Sequence, residues 1–192
     1  NAVHLAARKL SSSGNFDDLL REVLVICVEA VGANGGTIYL HDKSKKRLQF
    51  RHVLPEEVAL TLKLTDIPDD YGVAGQVYQT RKAVISGSSA EADANDVEKK
   101  TGVRRVNMIT VPLMMESEEP IGVVQLLNKK VGEFDANDVA VLDTVSAVST
   151  MAFLNSRLLE ESTRLSKMAG MGKVGHDIKN LAFGLEALVM VF

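Results

Sequence analysis

The feature that most restricts this chain is a pair of two-stranded patterns held apart by a long irregular stretch and bracketed by helices. Thr37–Leu40 reads as a short strand and Arg47–Leu54 as a second with alternating apolar and polar residues, and around the charged turn at His41–Lys46 the two make a hairpin. Asn107–Met114 and Ile121–Asn128 repeat the arrangement around a turn at Glu116–Pro120. Between them, from Pro55 to Lys100, the periodicity loosens. Val73–Thr80 reads as a short helix, Lys82–Ile85 as a strand, Ser86–Asn95 as an acidic loop of small residues, and Asp96–Thr101 as another short helix. An excursion of this length inside a compact domain points to a lid or binding segment. Hairpins that can bury one face against helices define an α+β domain.

The bracketing helices carry the complementary signal. Asn1–Leu10 is a helical lead-in broken by Ser11–Gly14, after which Asn15 reads as an N-cap with Asp17 and Asp18 in the first turn beyond it. Leu19, Leu20, Val23, Leu24, Cys27, Val28 and Val31 then recur on one side. Cys27 belongs to that stripe, so its expected role is packing and not chromophore attachment or nucleophilic chemistry. His41 in the turn and His52 on the polar side of its strand read as surface residues. After Gly132 a long helix starts near Asp135 and continues through Glu161.

Composition excludes several classes. The 192 residues are 46% hydrophobic and 24% charged with a net charge of −3, which gives no basic surface for nucleic acid. A single cysteine rules out a disulfide framework and fits a cytoplasmic location, and no apolar run reaches transmembrane length. An opening without Met and an ending within an apolar helix read as a fragment of a longer, cytoplasmic or membrane-associated parent.

Several separated motifs, in order, resemble the GAF domain family. They are Gly72-Val73-Ala74-Gly75-Gln76-Val77 with Thr80-Arg81-Lys82-Ala83-Val84-Ile85, then Met108-Ile109-Thr110-Val111-Pro112-Leu113, then Ile121 through Lys129. The resemblance implies a GAF-like six-stranded antiparallel sheet with flanking helices on one face and a small-molecule pocket on the other. Asn128-Lys129, Phe134 and Asp138 also resemble a motif of cyclic-nucleotide-binding members, in which Lys and Asp pair to hold the last loop against the exit helix. Val139 stands where that motif ends in Glu, so the match is partial. Lys129 and Asp138 are thus candidate supports of a pocket whose ligand is unknown, a cyclic nucleotide being one possibility. A GAF domain without a tight ligand, used for dimerisation and relay, is the other.

Beyond the domain, Met151, Leu154, Leu158, Leu165 and Met168 fall on the a and d positions of a heptad, with Glu161 as one charged layer. Met171, Val174, Ile178, Leu181, Leu185, Leu188 and Phe192 continue a seam, but the step from Met168 to Met171 is one residue short of the heptad rhythm. Gly170, Gly172 and Gly175 cluster at that slip, where the helix either frays or passes rotation at low cost. On the outward face stands His176, with Asp177 next to it and Asn180 one turn on. This is either a solvated polar face or a phosphoacceptor with an orienting carboxylate and a positioning amide. HDIKN resembles the H-box of sensor histidine kinases, with Ala182 in place of the usual Pro.

The expected organisation is a lead-in over 1–14, a GAF domain over 15–155, a coiled-coil linker over 156–170 and a truncated dimerisation and phosphotransfer helix over 171–192. The expected partners are a second copy, a response regulator and a small ligand, with ATP supplied by a catalytic domain that this sequence does not contain.

Overall fold

The computed structural model describes residues 16–61, 66–87, 106–114 and 119–189, and side chains as far as Met168 apart from a few positions. The lead-in over 1–14, most of the acidic loop and the short helix expected at Asp96–Thr101 lie outside the described residues. Helix α1 (Phe16–Val31) leads into strands β1 (Ala33–Asp42) and β2 (Arg47–Leu54), helix α2 (Glu56–Thr61) and edge strand β3 (Ile67–Pro68). Helix α3 (Gly72–Thr80), strands β4 (Val84–Ser86), β5 (Met108–Leu113) and β6 (Gly122–Lys129), and helix α4 (Ala136–Val189) follow among the described residues. The strands form one six-stranded sheet in the order β3-β2-β1-β6-β5-β4, antiparallel throughout. Pro68 sits on the outermost strand, where a missing N–H costs no ladder bond.

The two faces of the sheet are covered differently. On one, Ile38, Ile109, Val111, Val124 and Leu126 pack against Leu20, Val23 and Leu24 of α1 and Leu142, Val145 and Phe153 of α4. Phe16 meets Phe153 edge-on with centroids 5.6 Å apart. Each fully buried side chain of this kind contributes about 1.5–3 kcal/mol, so this layer is the principal core. Ser146 ties α4 to β5 by donating to the Pro112 carbonyl at 2.6 Å and accepting from Met114 N at 3.2 Å. Cys27 lies within this core, and burial pushes its thiol up to about 12. The opposite face is covered by α3.

Strand β1 begins four residues earlier than the sequence pattern indicates and ends two later. It pairs on both sides, and its glycines are there for close approach: a Cβ on Gly35 would lie 2.4 Å from the Leu54 carbonyl oxygen. The hairpin turn is therefore Lys43–Lys46, and His41 belongs to the strand.

The chain divides after Phe153 into two units. The first holds the sheet and its helices. The second, from Leu154, is helical as far as Val189, with Gly170, Gly172 and Gly175 inside helical backbone. No helix among the described residues is long and apolar enough to cross a membrane.

Candidate functional site

Alternation along β1 sends Ile38 to the helical core and Tyr39 to the other face. There Tyr39, Leu48 and Val123 are buried with Ala74, Val77 and Tyr78 of α3, and the Tyr39 ring lies 4.5 Å from that of Phe50. Beside this apolar floor runs a polar row. Thr37 pairs with Gln125 across β1 and β6, and Gln125 with Thr110 across β6 and β5. Gln125 Nε2 donates to Thr110 Oγ1 at 3.2 Å, and both threonines are buried. An apolar floor with a few placed amide and hydroxyl groups is the composition of a small-molecule site.

At the edge of that face His41 stands in the strand, not in an exposed turn, and its side chain is only 7% exposed. Its Nε2 lies 2.8 Å from Asp69 Oδ2 and its Nδ1 2.7 Å from Tyr78 Oη, and its ring stacks on Tyr78 with centroids 4.2 Å apart. A carboxylate accepts only, so Nε2 carries the proton and, in the neutral ring, the phenol donates to Nδ1. Burial, reinforced by the negative charges of Glu119 and Asp69, pushes the Tyr78 phenol up to about 12, which keeps it a donor at neutral pH. Glu119 is in turn paired with Lys43. His52 is half-buried on the helical side, its Nε2 3.9 Å from Asp17 Oδ1 and without a hydrogen-bond partner.

Lys129 and Asp138 meet at 2.5 Å, with both side chains largely buried. Asp138 also caps α4: its Oδ2 accepts from Asp135 N at 2.9 Å, and Asp135 Oδ1 accepts from Asp138 N at 3.1 Å. This reciprocal box satisfies two N–H groups that the helix cannot. Those backbone bonds hold the Asp135 carboxyl below its usual range. Lys129 Nζ lies 5.9 Å from the Phe134 ring centre. Asn128, in the left-handed region at φ 58°, accepts from Val106 N at 2.7 Å, and Lys129 N donates to Asn107 Oδ1 at 2.8 Å. The Asn-Lys-Phe-Asp residues thus form one clamp joining β6, the start of β5 and the first turn of α4.

An antiparallel sheet with its core helices on one face and a lidded, partly polar opposite face defines a regulatory sensory module. The chain belongs to the GAF domain family, whose sequence profile matches residues 13–153. The cGMP-specific 3',5'-cyclic phosphodiesterase of Drosophila virilis is 32% identical over 103 residues, covering 51% of this chain and 11% of that protein. The chain thus spans about a tenth of the length of the curated relatives it matches. The GAF domain of a phosphoenolpyruvate-protein phosphotransferase from Coxiella burnetii superposes with a TM-score of 0.70 at 13% identity, over 83% of this chain and 95% of that one. The free methionine-R-sulfoxide reductase of Neisseria meningitidis, solved with its substrate, gives 0.65 at 20% identity, over 82% and 89%.

His176, Asp177 and Asn180 lie within the helical backbone of α4, and their side chains lie outside the described residues. Periodicity did not single out the His41, Asp69 and Tyr78 cluster. Its members are 28 and 37 residues apart in sequence, and only the alternation that carries Tyr39 inward points to His41.

Proposed function

We propose that this chain is the sensory and dimerisation region of a two-component sensor histidine kinase, in which the GAF domain governs phosphorylation of His176. The observation that carries this reading is continuity. The helix that is capped by Asp138 and buried through Leu142, Val145 and Phe153 runs on in the sequence to His176-Asp177-Ile178-Lys179-Asn180. A change at the sheet thereby has a covalent, helical route to the histidine.

In this mechanism a neutral imidazole nitrogen of His176 attacks the γ-phosphorus of ATP held by the parent's catalytic domain. The N–P bond forms as the bond to the bridging oxygen breaks and ADP leaves, while Asp177 orients the ring and takes its other proton. The phosphoryl group then passes to a carboxylate of the response regulator, and Asn180 positions water in the reverse, phosphatase reaction. Two copies pair through Met151, Leu158, Leu165 and Met168, all more than half exposed in the single chain. The location is cytoplasmic, with a membrane-associated parent equally compatible.

Labelled ATP added to the parent protein tests the reading. His176→Ala is expected to abolish acid-labile phosphorylation, and retention of the label would sink it. A second reading concerns the ligand: similarity to cGMP-specific phosphodiesterases, together with the Lys129–Asp138 clamp, favours a cyclic nucleotide on the face beneath α3. A thermal shift with cGMP or cAMP is then expected. No shift with either would favour relay without a tight ligand.

A further inference from the structure

The helix that covers the candidate ligand face has little to hold it locally. At nine residues α3 is too short to be stable alone, and its N-cap Tyr71 gives no side-chain cap. It is entered through Gly72 at φ 63° and left through Arg81 at φ 60°, two left-handed residues that act as corners. Its first turn is pressed so closely on the preceding loop that a Cβ on Gly75 would lie 2.4 Å from the Asp70 carbonyl carbon. Helix and loop therefore move together, and the contacts joining that pair to the sheet decide whether the face opens.

Apolar burial of Ala74 and Val77 supplies part of the attachment and is indifferent to direction. The remainder is directional. We propose that His41 is the keeper of a latch, holding Tyr78 of α3 on one ring nitrogen and Asp69 of the preceding loop on the other, and that release of this latch admits small molecules to the face beneath. This deepens the proposed ligand-sensing role and rests on it.

The geometry fits such a device. The imidazole projects from β1, a central strand paired on both sides, so the fixed part is the rigid part. Both of its nitrogens are engaged, one by the loop and the other by the helix. The loop is further drawn to the helix by Gln79 Nε2, which donates to the Asp69 carbonyl at 3.2 Å, and to the β1–β2 turn by Asp69 N, which donates to the Lys46 carbonyl at 3.2 Å. Lifting α3 breaks the phenol bond and the ring stack together. The imidazole is buried, so the bond lost is not replaced by water until the lid has moved appreciably. That makes opening two-state instead of gradual.

Hydrogen exchange on the whole chain tests the latch without any ligand, so its outcome is separable from the cyclic-nucleotide result. Tyr78→Phe removes one hydroxyl and keeps the ring; Asp69→Asn removes one charge. Each is expected to speed exchange of the α3 amides about five- to tenfold while β1 and β6 stay protected. In a His41→Leu background neither change is expected to add anything, because both act through the same ring. If His41→Leu does not fold, the Tyr78→Phe/Asp69→Asn double variant takes its place, and less than additive acceleration is expected. Access is read directly in a Cys27→Ala/Val123→Cys chain, where Tyr78→Phe should raise the rate of thiol labelling at the sheet face by the same factor. Unchanged α3 exchange, acceleration spread equally over the sheet, or a labelling rate indifferent to Tyr78 would each overturn the proposal.

Discussion

At the scale of single residues, Asp138 has two duties. Its Oδ2 takes the ammonium of Lys129 and the amide of Asp135. Lys129→Met leaves a largely buried carboxylate with its cap bond but without its counter-charge, and should cost about 2–3 kcal/mol. Asp138→Asn keeps an acceptor for the cap and leaves the unpaired charge on Lys129, whose flexible stem can carry its ammonium toward water and which still faces the Phe134 ring, so its cost should be smaller, about 1 kcal/mol. Urea unfolding of the two variants distinguishes them: both midpoints fall, Lys129→Met further, with unchanged slope. A Lys129→Met midpoint equal to that of the natural chain would mean that the ion pair adds nothing to the cap. This clamp was legible in the sequence because its four members lie within a dozen residues and keep a family spacing. His41 was not. A histidine beside Asp42, Lys43 and Ser44 reads as part of a charged turn, and it is the pairing of His41 with Leu48 and of Asp42 with Arg47 on β2 that carries the strand past it. Partners recruited from a loop and a helix far along the chain leave no periodic trace.

At the scale of elements, glycine explains where sequence reading and structure part. Gly35 and Gly36 look like breakers after α1, yet they are strand residues, chosen because neighbouring chain leaves no room for a Cβ. The short elements α2 and β3 were likewise hidden, since a single helical turn and a two-residue edge strand carry too little pattern to be read. Helix α4 is the opposite case, because its periodicity extends well past the sheet. Leu158, Leu165 and Met168 are 65%, 61% and 58% exposed in the single chain, and Glu161 lies between them at a seam position. In a parallel pair two Glu161 carboxylates would face each other, weakening association while fixing register. Glu161→Leu should replace that layer by apolar contact and tighten the dimer at least tenfold, as read by sedimentation over a micromolar range. Leu158→Glu should do the reverse. A monomer at all concentrations for both the natural chain and Glu161→Leu would show that this stripe does not pair.

At the scale of the molecule, the proposed control of His176 by the GAF domain predicts a dependence on helix phase. Each residue added to a helix turns the downstream segment by about 100°, so the face presented at His176 depends on the number of residues separating it from the sheet. Inserting two residues between Glu161 and Leu165 turns the downstream seam by about 200°, to the far side of the helix; inserting seven returns it to within about 20°. Neither insertion touches the core around Phe153 or the clamp at Asp138, so the unfolding midpoint of the GAF domain should stay where it is. In the parent protein the seven-residue insertion should preserve His176 phosphorylation and its response to ligand. The two-residue insertion should abolish the response or lock phosphorylation at one extreme. The slip in the seam at Met168–Met171 sharpens the expectation: restoring heptad rhythm with one residue placed between Ala169 and Gly170 removes an offset that the natural sequence maintains. If helix phase carries the signal, that single residue, which rotates the histidine by about 100°, should disturb regulation more than seven added upstream. Equal effects from one, two and seven residues would show that phase is irrelevant and that the linker acts only as a tether.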